Sequence, residues 1–162
     1  MVKCIVEINS STVGSTGRIM FMIAETARKH GFTVYTCSAV HGNEKRIESK
    51  NHIYIGSKLD KKIHLLLAKK TGYNGCFSHF TTAQFLKKID KLQPDLIHFH
   101  NLHNCYINLP MLFDYVKKKN IPVVWTLHDC WAYTGHCPYY DFVHCNKWMT
   151  GCYDCPQTAK YP

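Results

Sequence analysis

No uncharged apolar run in this chain approaches the roughly 18 to 20 residues that a membrane-spanning helix needs. The longest, Leu65-Leu66-Leu67-Ala68 and Ile121-Pro122-Val123-Val124-Trp125, stop after a single turn or strand. The opening, Met1-Val2-Lys3-Cys4-Ile5-Val6-Glu7-Ile8, lacks a small-residue cleavage site and carries a glutamate inside its apolar run. It does not read as a secretory leader, so a cytoplasmic location is expected. Internal repeats and low-complexity linkers are missing before residue 128, and 46% of the 162 residues are apolar against only 9 Gly and 6 Pro. Disordered and fibrous classes are thereby excluded, which leaves one globular domain with its own core. Acidic residues are scarce: 11 Asp plus Glu face 20 Lys plus Arg, a formal charge of +9. Such a balance suits nucleic acid, an anionic membrane surface or a phosphorylated ligand, and does not choose among them.

The apolar pattern supplies a succession of elements. Cys4 to Ile8 reads as a buried strand ending in the turn Asn9-Ser10-Ser11-Thr12. A helix is expected from Gly17 to His30, its inner face built from Ile19, Phe21, Met22, Ile23 and Ala27, with Gly31 at its end. Thr33 to Cys37 and His52 to Ile55 read as the second and third strands. Two amphipathic helices follow, one with Leu59, Ile63, Leu66 and Leu67 inward, the other with Phe85, Leu86, Ile89 and Leu92. Leu96 to His100 is a fourth strand. Asn108 and Pro110 open a helix that turns Leu109, Leu112, Phe113 and Val116 inward, and Pro122 to Leu127 is a fifth strand.

Alternating strands and helices predict an α/β fold, an open and mainly parallel sheet flanked by helices, Rossmann-like over residues 1–127. A Cys- and aromatic-rich loop, residues 128–162, is expected to pack on the same domain. Ligand sites in such sheets lie beyond the carboxyl ends of the strands. That rule singles out Asn9 to Thr16, His100 to Cys105, and His128 onward.

Each of these loops holds residues suited to chemistry. Gly14-Ser15-Thr16-Gly17 opens a helix, where free amides and the helix dipole favour an anion, although neither the P-loop nor the G-x-G-x-x-G signature is present. The same glycines also suit a plain tight turn. His98 and His100 lie two apart on one strand face, with His103 close behind, and the bland reading is hydrogen-bonded structure. His128 and Asp129 follow the fifth strand; their adjacent side chains diverge, and either one suits a sugar hydroxyl. Cys137, Cys145, Cys152 and Cys155 end in the C-x-x-C spacing of a zinc site. They read either as a structural zinc set, with His136 and His144 as substitute ligands, or as reduced thiols packed among Trp131, Tyr139, Tyr140 and Trp148.

The block from Trp125 to Cys137, Trp-Thr-Leu-His-Asp-Cys-Trp-Ala-Tyr-Thr-Gly-His-Cys, with Lys147 to Gln157, resembles a bacterial branch of the family 4 glycosyltransferases. Ile8 to Ser11, Gly14 to Arg18 and Asp95 to Asn101 are similar to the same branch, so the resemblance spans nearly the whole chain. It implies the N-terminal, acceptor-side half of a retaining GT-B enzyme. The donor-binding C-terminal domain would lie outside this chain, which alone should be inactive. By this resemblance Gly14, Ser15, Thr16 and Gly17 approach the donor diphosphate and His128 is the catalytic residue that meets the transferred sugar. His100, Asn101, His103 and Asp129 lie on the acceptor side. The implied partners are a nucleotide-sugar co-substrate and a glycan or lipid-linked acceptor of cell-surface polysaccharide synthesis. No catalytic metal and no nucleic acid are expected. Lys58, Lys61, Lys62, Lys69 and Lys70 would serve a peripheral contact with the inner face of an anionic cell membrane. The alternative from another class is a basic nucleic-acid-binding module with a structural zinc loop.

Overall fold

The computed structural model of the protein describes residues 3–40 and 47–157; residues 1, 2 and 158–162 of the two expected segments lie outside them. Five strands, β1 (Cys4–Asn9), β2 (Thr33–Ala39), β3 (His52–Ile55), β4 (Leu96–Phe99) and β5 (Val123–Trp125), form one sheet in the order β3-β2-β1-β4-β5. Every pairing is parallel. The helices are α1 (Gly14–Lys29), α2 (Lys58–Thr71), α3 (His79–Leu92), α4 (Leu109–Lys119) and the single turn α5 (Trp131–Thr134). Beyond α5 the described residues make only short 3₁₀ turns, Tyr140–Val143 and Lys147–Met149. Because β1 lies between β2 and β4, the strand order reverses there, and a crevice opens at the carboxyl ends of β1 and β4.

The period-two alternation of the strands divides the core. Val6, Ile8, Cys37, Ile97 and Phe99 are buried against Phe85 and Ile89 of α3 and Leu112 of α4. Side chains of this size contribute about 1.5–3 kcal/mol each on burial. The opposite face is apolar only near the start of the strands, where Ile5 and Val34 pack with Ala24, Ala27, Phe32 and Leu96. Farther along it becomes polar, and Glu7, Asn9, Thr36, Ser38 and His98 are all buried. Polar groups withdrawn from water must find partners, so this half of the sheet is a preformed hydrogen-bonding surface.

Caps hold the elements in register. Asp95 Oδ2 accepts from the amides of Lys3 and Cys4, 2.8 Å each, and fixes the start of β1 beside β4. Ser57 caps α2 through the Asp60 amide, and Asn108 caps α4 through the Met111 amide at 3.0 Å.

Several expectations need correction. Helix α1 begins at Gly14, three residues early, and the line it buries is Gly17, Met20 and Ala24. Ile19 and Met22 are exposed instead, since the small residues allow the closer approach to the sheet. In α2 the assignment is reversed: His64 and Ala68 face inward, while Leu59, Ile63 and Leu66 stand 68%, 51% and 66% exposed. Helical spacing defines a stripe but not the direction it faces, and here a buried hydrogen bond from His64 Nδ1 to Ser78 Oγ at 2.8 Å holds the polar side in. Strand β5 is three residues long, shorter than Pro122 to Leu127, because its partner β4 ends at Phe99, which pairs with Trp125.

Candidate functional site

Glu7 is the centre of the polar half-face. Register places it beside Thr36 on one flank and His98 on the other. Its Oε2 lies 2.8 Å from Nε2 of His100 and 3.0 Å from Nδ1 of His98. The outer nitrogen of each ring is engaged as well: His98 Nε2 with Thr126 Oγ1 at 2.8 Å, and His100 Nδ1 with His128 Nε2 at 3.0 Å. The rings of His100 and His128 stack with an interplanar angle of 19°. Burial by itself would raise the Glu7 carboxyl, but the bonds from His100 and His98 outweigh it and hold the group below its ordinary value. Among the described residues these three are the ones whose donor atoms all fall within 4.8 Å of one another. Their spacings are those of hydrogen bonds, with both nitrogens of each ring already partnered.

His128 stands where this network reaches the surface. Burial lowers its pKa, the neighbouring His100 lowers it further, and Asp129 opposes both, so a neutral imidazole faces the crevice at neutral pH. Asp129 turns the other way and accepts from Nε2 of His103 at 2.9 Å and from the Trp131 amide at 3.0 Å. Burial would raise the Asp129 carboxyl, yet these bonds bring it below its usual range. Nδ1 of His103 and Nε1 of Trp131 are buried without a hydrogen-bond partner. Both residues line a cleft of about 10 Å³ together with His100, Asn101, His128 and Asp129. It has room for about one water, so a larger ligand would lie across this rim.

The glycine loop reaches the same rim. Asn9, at the end of β1, donates to Ser11 O at 2.9 Å and to Thr16 Oγ1 at 3.2 Å, while its Oδ1 accepts from the Asn101 amide at 3.2 Å. One side chain thus ties the loop of Gly14 to Gly17 to the loop of Asn101 and His103. Val13 precedes α1 without a side-chain cap, which leaves the first-turn amides available to an anion. Gly14 adopts φ +76°, and a Cβ at Gly17 would stand 2.5 Å from Thr12 C. The first glycine supplies conformation and the second supplies room.

The comparisons bear on this arrangement. The sequence model described as Glycosyltransferase Family 4 matches residues 16–149. The chain belongs to glycosyltransferase family 4. A protein of Escherichia coli (strain K12) named as the colanic acid biosynthesis glycosyl transferase WcaC is 42% identical over 74 residues, covering 43% of this chain and 18% of that protein. The chain therefore matches less than one fifth of that relative's length.

For this family 4 chain, the structure brings the sequence-derived residues Gly14 to Gly17, His100, Asn101, His103, His128 and Asp129 to one end of the sheet. It also separates their surroundings. His100 is wholly buried with both nitrogens engaged, and lines the floor of the cleft behind His128. Glu7, Asn9 and Thr126 were missed by the sequence reading. A signal for Glu7 existed: a charged residue inside an otherwise buried strand needs a buried partner, and His98 on β4 with His100 just beyond it supplies one. No disulfide joins any of the nine cysteines. Burial raises the Cys137 thiol, and proximity to Cys155, Cys145 and Cys152 raises it further.

Proposed function

We propose that this chain is the N-terminal, acceptor-side half of a retaining GT-B glycosyltransferase. The whole enzyme would move a sugar from a nucleotide-sugar donor to a glycan or lipid-linked acceptor in cell-surface polysaccharide synthesis. The observation that carries this reading is the coupling of the uncapped amides at Gly14 to Gly17 with the neutral imidazole of His128 on one rim, through Asn9 and Asn101. The amides would hold negative charge that grows on the departing diphosphate. His128 would meet a hydroxyl of the sugar being transferred, and Asn101, His103 and Asp129 would border the acceptor. A second domain would close the crevice and hold the donor nucleotide, so the isolated chain should be inactive.

Transfer from a nucleotide sugar by the full-length protein tests the reading. His128→Ala should lower kcat by about tenfold to a hundredfold, or about 1.4 to 2.8 kcal/mol. Unchanged kcat in that variant would remove His128 from the chemistry.

The acceptor side offers a surface for an anionic membrane. Leu59, Ile63 and Leu66 of α2 and Phe80 of α3 are exposed together, beside a groove of about 440 Å³. Lys58, Lys62, Lys69 and Lys70 stand exposed on the same helix. Apolar side chains framed by lysines suit the interface of anionic lipids. No helix among the described residues is long and apolar enough to cross a membrane. Sedimentation with anionic vesicles but not neutral ones is the expected result. Equal binding to both would mean that the lysines play no part.

Cys137, Cys145, Cys152 and Cys155 are proposed to hold a structural zinc ion; among the described residues their thiols are not gathered within 4.8 Å of one another as Glu7, His98 and His100 are, so the loop would draw in around the metal. The loop they share has no long helix or strand, and four thiolates would supply the cohesion that its exposed Tyr139, Phe142 and Tyr153 do not. About one zinc per chain is expected in the purified protein, with chelation loosening this loop before the sheet. A metal-free protein with four freely titrating thiols would leave packed, reduced cysteines as the answer.

A further inference from the structure

The hydrogen bonds that radiate from Glu7 permit few proton arrangements. An ionised carboxylate only accepts, so His98 Nδ1 and His100 Nε2 must both carry the hydrogens that point at Oε2. When His98 is uncharged its Nε2 is bare, and the Thr126 hydroxyl satisfies it. When His100 is uncharged its Nδ1 is bare, and His128 then donates from its Nε2. What remains at the end of the chain is Nδ1 of His128, a lone pair without a partner among the described residues.

We infer that Glu7 and His100 form a buried positioning relay that fixes His128 as its Nε2–H tautomer and offers Nδ1 to the crevice as the acceptor for a hydroxyl of the transferred sugar. This rests on the reading that His128 binds that sugar. The relay makes the rim selective for a hydrogen-bond donor, because a carboxylate or carbonyl at the same position would oppose one lone pair with another. Its polarity follows the charge on Glu7. A neutral Glu7 would donate to His100 Nε2, His100 would donate from Nδ1, and His128 would end as an Nδ1–H donor. The donors converging on Glu7 favour the ionised state. Neither Glu7 nor His100 touches the sugar, and both act through His128.

Long-range proton–nitrogen NMR spectra of the protein labelled with ¹⁵N-histidine read the tautomers directly. The native protein should show a neutral His128 protonated at Nε2. Glu7→Gln can accept both bonds on its amide oxygen and should keep that tautomer, whereas in Glu7→Leu, which offers no acceptor, His100 and His128 should lose it. For transfer by the full-length protein, Glu7→Leu should lower kcat/KM by about tenfold. In a His128→Ala background the same change should cost less than about twofold, since its effect passes through the missing ring. A proton on Nδ1 of His128 in the native protein would overturn the relay, and that spectrum needs no variant to fold. An equal cost of Glu7→Leu in both backgrounds would also overturn it. Wild-type activity in His128→Ala would instead refute the role of His128 while leaving its tautomer to be read separately.

Discussion

Gly17 is the position where one methyl group separates stability from function. A Cβ there would lie 2.5 Å from Thr12 C, 2.7 Å from Thr12 O and 3.2 Å from Ser11 O. Carbon atoms in contact prefer about 3.5–4.0 Å, so Gly17→Ala must push residues 11 and 12 away from α1 by about 1 Å. Overpacking of this kind costs about 1–3 kcal/mol, and the better helix propensity of alanine returns about 1 kcal/mol. The net loss should be about 0–2 kcal/mol, which urea unfolding measures. The catalytic cost should be much larger, because a shift of about 1 Å in a group that positions substrate costs on the order of a hundredfold in rate. Gly14→Ala is the control: its Cβ meets nothing within 4 Å, but φ is +76°. That variant should lose about 1–2 kcal/mol through backbone strain without driving the loop from the helix. Wild-type kcat/KM in full-length Gly17→Ala would refute the argument that close loop-to-helix approach sets the donor site.

Acid should weaken the fold through buried histidines. Burial lowers His64 from 6.5 to about 4, so on acidification the unfolded chain takes up the proton first. Stability should fall from about pH 6.5 towards pH 4, by about 3 kcal/mol for this residue, and His64→Leu should flatten the pH slope of the urea midpoint. Asn108→Ala removes the cap on Met111 and the 2.7 Å bond to Cys76 O. It should cost about 2–3 kcal/mol in chemical denaturation. Leu59→Ser and Leu66→Ser, both at exposed positions, should change stability by less than about 0.5 kcal/mol while reducing sedimentation with anionic vesicles.

The order of the elements was written in local chemistry. β-Branched and apolar runs marked β1, β2 and β4, Asn108 with Pro110 marked the start of α4, and strand–helix alternation implied a parallel sheet. The three loops at the carboxyl ends followed from that topology, and so did the shared rim of Gly14 to Gly17, His100 and His128. Orientation was less legible. The stripe of Leu59, Ile63 and Leu66 has the spacing of a core face, yet α2 turns it outward because the bond from His64 to Ser78 joins residues fourteen apart. Partnership across the sheet was not legible at all. Glu7 and His100 are 93 residues apart, and only the pairing of β1 with β4 makes them neighbours. Periodicity reports the surroundings of a residue along its own segment. The state of a buried charge depends on which other segment lies beside it, and the parallel register of β1 and β4 decides that.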